Sequence, residues 1–410
     1  MKAFYKFLSV FIFLGYYVAC SPVKFSKDTA INKCQNSAQT CISTGKRDLF
    51  NTTITSSGGM VDILFINDNS GSMSYEQKNM SDKFSVFIQE LDSQSIDYRI
   101  GIITTDISGA SNPARAVNQN GALQDAKLIK FSNGESFLTQ STSNRSTLFS
   151  EAIKRNETAA CENLLKTTNN DVETSCPSFD ERGVYAANLF VTQNPNSFIR
   201  ANSHLAIVVL SDEDERSSAY NLSPQYSLET NDLPLTLINN VKSKYANKTM
   251  SVHSIIVNPG SLRGGKSAEQ VAMDLASGSF EPSDFESSYN PASKACLNAQ
   301  GNQTIRPDNR RVLGSYGYVY SVLTSITGGI QGDICAGDYG SQLVNIAGNI
   351  GEHKEEVQLA CDISKITDLA VSFAPTQNQV NYTAEASVLK FNDTVQPGTK
   401  ITISYSCPTL

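Results

Sequence analysis

The 410-residue chain has no tryptophan, and its three histidines, His204, His253 and His353, are scattered along the sequence. None of its cysteines stands in a CxxC pair. A zinc site, which needs clustered Cys and His, is therefore not expected. Lys and Arg form no cluster, and the formal net charge is −7. Nucleic acid is not an expected partner, because its backbone is bound by grouped cations that displace counterions. There is no Gly-x-Ser-x-Gly word for a nucleophile elbow and no glycine-rich phosphate loop. The chain carries no clear enzyme signature, and a non-enzymatic role is expected. After residue 19 no run is apolar over the roughly 20 residues that a membrane-spanning helix needs. Internal repeats and low-complexity tracts are absent as well.

What is present begins at the N-terminus. Lys2 and Lys6 precede an uncharged, mostly apolar run from Phe7 to Ala19, followed at once by Cys20. A basic start with a short apolar stretch has the form of a secretory signal peptide and is too short to span a bilayer. The junction Val18-Ala19-Cys20-Ser21 resembles a bacterial lipobox, with Tyr17 where that motif usually has leucine. The resemblance implies that residues 1–19 are a lipoprotein signal peptide and that Cys20 is acylated. The alternative is a plain signal peptide cleaved near Ala19. With lipidation the chain would sit in the cell envelope on a lipid anchor. By the usual bacterial sorting rule Ser21 then favours the outer membrane of a Gram-negative cell. Eight further cysteines remain: Cys34, Cys41, Cys161, Cys176, Cys296, Cys335, Cys361 and Cys407. An even number in an exported chain suits four disulfides. Joining sequence neighbours gives 34–41, 161–176, 296–335 and 361–407, though many other connectivities are open.

Residues 20–58 are polar and aperiodic and read as a tether. From Val61 the pattern changes. Val61 to Ile66, Tyr98 to Ile103, Leu205 to Leu210 and Val252 to Val257 are apolar runs of the kind found in strands buried on both faces. Between them lie helical stripes, such as Phe84, Phe87, Ile88 and Leu91, and later Leu343, Ile346, Ala347 and Ile350. Strands alternating with helices indicate an α/β domain with a doubly wound, mainly parallel sheet covered on both faces. It is expected over residues 59–353. Two insertions interrupt it, near 107–180 (with a hairpin at Asn133-Gly134) and 259–315, the second rich in Gly, Ser, Asn and Pro and read as a long surface segment. After residue 354 the period becomes two, which predicts a small C-terminal all-β unit over 354–410.

The chemistry concentrates in one loop. Asp68-Asn69-Ser70-Gly71-Ser72 follows a buried strand and precedes a helix. In open α/β sheets, ligands bind at the carboxyl ends of the strands. One carboxylate and two hydroxyls on a tight loop suit a hard cation such as Mg²⁺. The words Ile63-Leu64-Phe65-Ile66-Asn67-Asp68-Asn69-Ser70-Gly71-Ser72-Met73 and Ile207-Val208-Val209-Leu210-Ser211-Asp212-Glu213-Asp214 resemble the von Willebrand factor A family, which includes integrin I domains. The resemblance spans roughly residues 60–352. It implies a metal-ion-dependent adhesion site in which Asp68, Ser70, Ser72 and Asp212 surround Mg²⁺, Ca²⁺ or Mn²⁺. The family's threonine at the start of its middle helix has no clear counterpart. Asp180 would take that place, with Glu181 beside it. Thr105 and Asp106, at the end of the second strand, and Asp214 would support the ligands from behind. The acids Glu213, Asp214 and Glu215 read as a solvated loop or, alternatively, as a second cation site. Thr327-Gly328-Gly329 resembles the family's last helix-to-strand turn.

The function implied is cation-dependent binding of a protein or cell-surface ligand that offers a carboxylate. The alternatives are a structural envelope lipoprotein whose metal site has no binding role and, less favoured, a metal-dependent hydrolase.

Overall fold

In the computed structural model the apolar runs become the centre of one sheet. The structure describes residues 40–56, 59–94, 96–107, 125–167, 176–177, 181–201, 203–216, 228–245, 248–286, 303–305, 311–353, 356–377, 380–393, 395–396 and 399–409. Two strands come first, β1 (Thr40–Ser43) and β2 (Arg47–Thr55). They are followed by β3 (Met60–Asn67), α1 (Ser74–Ser93), β4 (Asp97–Thr104) and the short β5 (Leu138–Thr139). Next come α2 (Arg145–Ile153), α3 (Asn156–Thr167), α4 (Gly183–Gln193), β6 (His204–Ser211), α5 (Pro234–Lys244) and β7 (Met250–Ile256). After α6 (Ala268–Ser277) lie the paired strands β8 (Gln303–Ile305) and β9 (Arg311–Leu313), then α7 (Tyr318–Ile326), β10 (Gln331–Asp333) and α8 (Tyr339–Glu352). The chain ends with β11 (Glu356–Gln358), β12 (Thr367–Ala374), β13 (Tyr382–Glu385), β14 (Val388–Phe391) and β15 (Lys400–Pro408).

The main sheet has the order β10-β7-β6-β3-β4-β5 and is parallel except for β5, which runs antiparallel to β4. Strand β6 is buried at every position and β3 at all but its first, because helices cover both faces. Alternate β3 residues serve opposite cores. Val61, Ile63 and Phe65 pack with Phe84 and Phe87 of α1 and with Leu343 and Ile346 of α8. Leu64 and Ile66 pack with α4, α5 and α7 through Phe190, Val241 and Leu323. Phe65 makes edge-on ring contacts with Phe84, Phe87 and Phe149. Burial of one such side chain contributes about 1.5–3 kcal/mol.

Three expectations need correction. Residues 40–55, read as tether, form β1 and β2 in a second sheet, β1-β2-β15-β12. Strand β2 hides in polar sequence because only one of its faces is covered. Asp48, Phe50 and Thr52 are buried, while Leu49, Asn51 and Thr53 are exposed. Phe50 stacks on Tyr405 at 5.2 Å. A third sheet, β11-β14-β13, shares this core, so the C-terminal β unit is completed by the chain's own early residues. Second, the stretch 259–315 is not only surface. Its helix α6 is capped by the Ser267 hydroxyl and stopped by Gly278 in the left-handed conformation, and it buries Val271, Ala272 and Leu275. Third, Asn133-Gly134 lies in a tight turn (Gly134 N–H to Phe131 O, 2.8 Å) that joins no paired strands.

Disulfides join Cys161 to Cys176 and Cys361 to Cys407, and the second clips β15 to the segment before β12. Cys41 and Cys335 are disulfide-bonded as well. The expected signal peptide, Cys20, Cys34 and Cys296 lie outside the described residues.

The turn after α7 shows how closely the layers fit. Gly328 N–H donates to Ser325 O and Gly329 N–H to Thr324 O, with Gly328 at φ 69°. This pair of bonds satisfies the last carbonyls of the helix. A Cβ on Gly329 would meet Val252 O at 1.9 Å. Gly329→Ala is therefore expected to cost roughly 2–3 kcal/mol, because β7 or the turn must move. Urea unfolding measures this, and a loss under about 0.5 kcal/mol would show that the turn yields freely.

Candidate metal centre

Strand order reverses at β3. Its sequence neighbour β4 lies on one side and β6 on the other, so the carboxyl ends of β3 and β6 bound a crevice. Asn67 pairs with Leu210, and Asp68 N–H donates to Leu210 O at 3.0 Å. Asp68 and Asp212 therefore leave the sheet side by side. A turn of 3₁₀ helix, Gly71–Met73, then leads into α1.

Four of the residues read from sequence meet here. Ser72 Oγ donates to Asp212 Oδ1 at 3.0 Å. Ser70 Oγ lies 2.8 Å from Ser72 Oγ and, with that proton committed, is the donor of the pair. Ser70 N–H donates to Asp68 Oδ1 at 2.8 Å. Asp68 and Asp212 are both fully buried. Burial raises the Asp68 pKa above the ordinary value, opposed by hydrogen bonds from Ser211 and Ser70. Asp212 is raised well above it, first by burial and then by the negative charges of Glu76, Asp68 and Glu213. Asp212 Oδ2 is buried and has no hydrogen-bond partner among the described residues.

The surroundings hold the loop by its backbone. Gln77 Nε2 donates to Asp68 O at 2.9 Å, and Thr158 Oγ1 donates to Asn69 O at 2.7 Å. Ser211 Oγ donates to Asp68 Oδ2 at 2.6 Å. Ser211 stood inside the word that pointed to Asp212. Gln77, Thr158 and Glu76 carried no signal, because only the fold brings them to the loop. Thr105 and Asp106 lie at the expected edge, both buried. Thr105 N–H donates to Asn67 O, and its carbonyl accepts from Arg182 N–H.

The acids after Asp212 are not a solvated loop. Glu213, Asp214 and Glu215 are 8, 0 and 0 % exposed. Asp214, expected to back the metal ligands, accepts from Val319 N–H at 3.0 Å and so caps the start of α7. Glu215 accepts from Val184 and Tyr185 N–H at 2.7 and 3.0 Å, capping α4. Helix N-termini favour such carboxylates through unpaired N–H groups and the helix dipole. Glu181 is buried, and its carbonyl accepts from Arg216 N–H. Asp180 lies outside the described residues.

Among the described residues no group of three or more His, Cys, Asp and Glu has metal-holding geometry. The donor set at the crevice is of another kind, two carboxylates and two hydroxyls. All four are hard oxygen donors, which suit Mg²⁺, Ca²⁺ or Mn²⁺ and not a soft metal.

No family model and no curated protein matches the chain. Among solved structures it is similar to the pilus adhesin SpaC from Lactobacillus rhamnosus GG in its open conformation, with 10% identity and a TM-score of 0.32 over 90% of this chain and 42% of that one. It is also similar to a von Willebrand factor type A protein from Catenulispora acidiphila, with 10% identity and a TM-score of 0.30 over 89% and 61%. For the pilus adhesin RrgA from Streptococcus pneumoniae the values are 9% and 0.24 over 89% and 59%. The chain spans less than two thirds of each of these proteins. What the crevice can do rests on its own geometry.

Proposed function

We propose that the chain is a cell-envelope lipoprotein whose von Willebrand factor A-type domain binds a protein or surface ligand through a divalent cation. Asp68, Ser70, Ser72 and Asp212 would hold the ion, and Asp180 is a further candidate on the adjoining loop. A bound Mg²⁺, Ca²⁺ or Mn²⁺ supplies an electrophilic centre that accepts a partner's carboxylate. Cys20 would carry the lipid, which anchors the domain in the cell envelope, and Ser21 favours the outer membrane. Among the described residues no helix is long and apolar enough to cross a membrane.

The observation that carries this reading is the buried, unpartnered Asp212 Oδ2 at the carboxyl ends of β3 and β6. A buried carboxylate oxygen without a donor costs free energy, and so does its placement among Asp68, Glu76 and Glu213. A divalent cation relieves both costs at once. The hydroxyls of Ser70 and Ser72 stand beside it as neutral donors that add no further charge.

Calorimetric titration of the mature chain with Mg²⁺, Ca²⁺ and Mn²⁺ tests the proposal. At least one cation is expected to bind with measurable heat and to raise the melting temperature, and Asp68→Ala is expected to abolish both. No heat and no thermal shift with any of the three would refute it.

A further inference from the structure

The three histidines, distant in sequence, meet where the α/β domain touches the β unit. His353 follows α8, and its Nδ1 lies 2.7 Å from Glu356 Oε2 at the start of β11. Its ring stacks on His204 at 5.1 Å and 10°. His204 opens β6 and is buried, with Nδ1 2.8 Å from Thr249 Oγ1 and Nε2 2.8 Å from Ser251 Oγ. Ser251 Oγ also lies 3.0 Å from His253 Nε2.

The protons in this chain can be placed. Ile330 N–H donates to His253 Nδ1 at 3.0 Å, so that nitrogen is unprotonated. His253 then carries its proton on Nε2 and donates to Ser251. The Ser251 proton goes on to His204 Nε2, and His204 donates from Nδ1 to Thr249. Both nitrogens of His204 are thus committed in the neutral ring. An added proton on Nε2 would point at a hydroxyl that already receives one, and the Ser251 proton would lose its acceptor. The charge would also be buried. It would face His353 and His253 and lie near Lys248, whose Nζ is fixed by Arg200 O and Ser203 O with Asp62 and Arg200 behind it. Among the described residues lining the seam, Glu356 is the carboxylate on the far side of the stack, and Lys242 of α5 is a cation beside Lys248.

The seam itself is loosely filled. A cavity of about 240 Å³ lies beside the stack, between Val241, Met250 and Ile326 of the domain and Ala386 and Val388 of the β unit. Side chains lining such a space bury less apolar surface across the junction than those of the sheet core do, so the junction is cheaper to open.

We propose that His204 is an acid-sensitive catch, and that its uptake of a proton loosens the β unit from the α/β domain. With the seam shut, His204 sits in a site built for the neutral ring. Once His353 lifts away, His204 meets water and titrates near the ordinary value of about 6.5. The open form binds more protons, so acid favours opening. Between pH 7.5 and 5.5 a single such group shifts the opening equilibrium about tenfold.

Hydrogen exchange of the full chain followed by mass spectrometry, corrected for the chemical pH dependence, tests this. Protection of peptides over β6 and over β13–β14 is expected to fall about tenfold from pH 7.5 to 5.5, while α1 keeps its protection. His204→Phe keeps a stacking ring and is expected to remove the response. His353→Phe, which leaves His204 in place, is expected to retain it. Equal protection of the seam in the unmodified chain at the two pH values would overturn the proposal, whether or not His204→Phe folds. A pH response that persists in folded His204→Phe would overturn it too.

Discussion

In EDTA, Asp212→Asn is expected to melt above the unmodified chain, and in saturating Mg²⁺ below it. The folded-state pKa of Asp212 is raised above its unfolded value of 3.8, through burial and then the charges of Glu76, Asp68 and Glu213. A carboxyl raised in this way favours the fold below the unfolded pKa, and that stability is lost as pH rises through the folded pKa. At neutral pH the ionised group therefore burdens the metal-free protein. Asparagine does not titrate, and its Oδ1 still accepts from Ser72. Release of the burden is worth about 1–3 kcal/mol, or several degrees in a domain of this size. With cation present the order reverses. A ligand at a hundred times its dissociation constant adds about 2.7 kcal/mol, which the variant forfeits along with a ligand oxygen. The difference in EDTA should also shrink as pH falls toward 3.8, where both chains carry a neutral side chain. Thermal melts of the two proteins with EDTA and with Mg²⁺ decide the matter. An Asn variant less stable than the unmodified chain in EDTA would mean that Asp212 has a structural partner, and the cation reading would lose its main support.

Which parts of this site could be seen in the sequence follows from how local each contact is. Asp68, Ser70 and Ser72 lie on one loop, and Asp212 follows a strand whose continuous apolar run marks it as central. Parallel strands buried on both faces announce themselves in this way. Ser211 adjoins Asp212 but carried no signal of its own, because its hydroxyl acquires a role only when β3 lies beside β6. Asp214 and Glu215 misled for the same reason. Three acids in a row after a strand resemble a solvated loop, and only the packing of α7 and α4 against that loop turns two of them into caps. The strands β1 and β2 were lost to composition. Asn51, Thr52 and Thr53 carry no hydrophobic alternation, and the partner that orders them, β15, lies at the far end of the chain. The histidine cluster needed the start of β6, the middle of β7 and the end of α8 to converge, which no spacing along the chain reveals.

Behind the crevice a buried ion pair braces two of its loops, and Asp232→Ala is expected to cost about 3–5 kcal/mol, roughly ten degrees in melting temperature. Arg182 is 1 % exposed. Its guanidinium grips Asp232 with two hydrogen bonds of 2.8 Å, meets Glu229 at 3.1 Å and lies 4.2 Å from the Tyr185 ring centre. Burial alone would disfavour its charge, but hydrogen bonding to Asp232 and the charges of Asp232 and Glu215 outweigh that, and its pKa is raised. Loss of Asp232 leaves this cation with the half-exposed Glu229 as a direct partner and the more distant charge of Glu215. The penalty comes from the stranded charge rather than from the worth of the pair. Arg182→Met combined with Asp232→Leu is accordingly expected to recover most of the loss. The same residues bear on the crevice. Arg182 N–H holds Thr105 O, Arg216 N–H holds Glu181 O, and Arg216 Nη1 reaches Glu229 at 3.0 Å. Asp232→Ala should therefore weaken cation binding at least fivefold without touching a ligand, measured by calorimetry below the melting transition. Unchanged affinity in a clearly destabilised variant would mean that Ser211, Gln77 and Thr158 fix the ligand loop by themselves, and that the ion pair serves the fold alone.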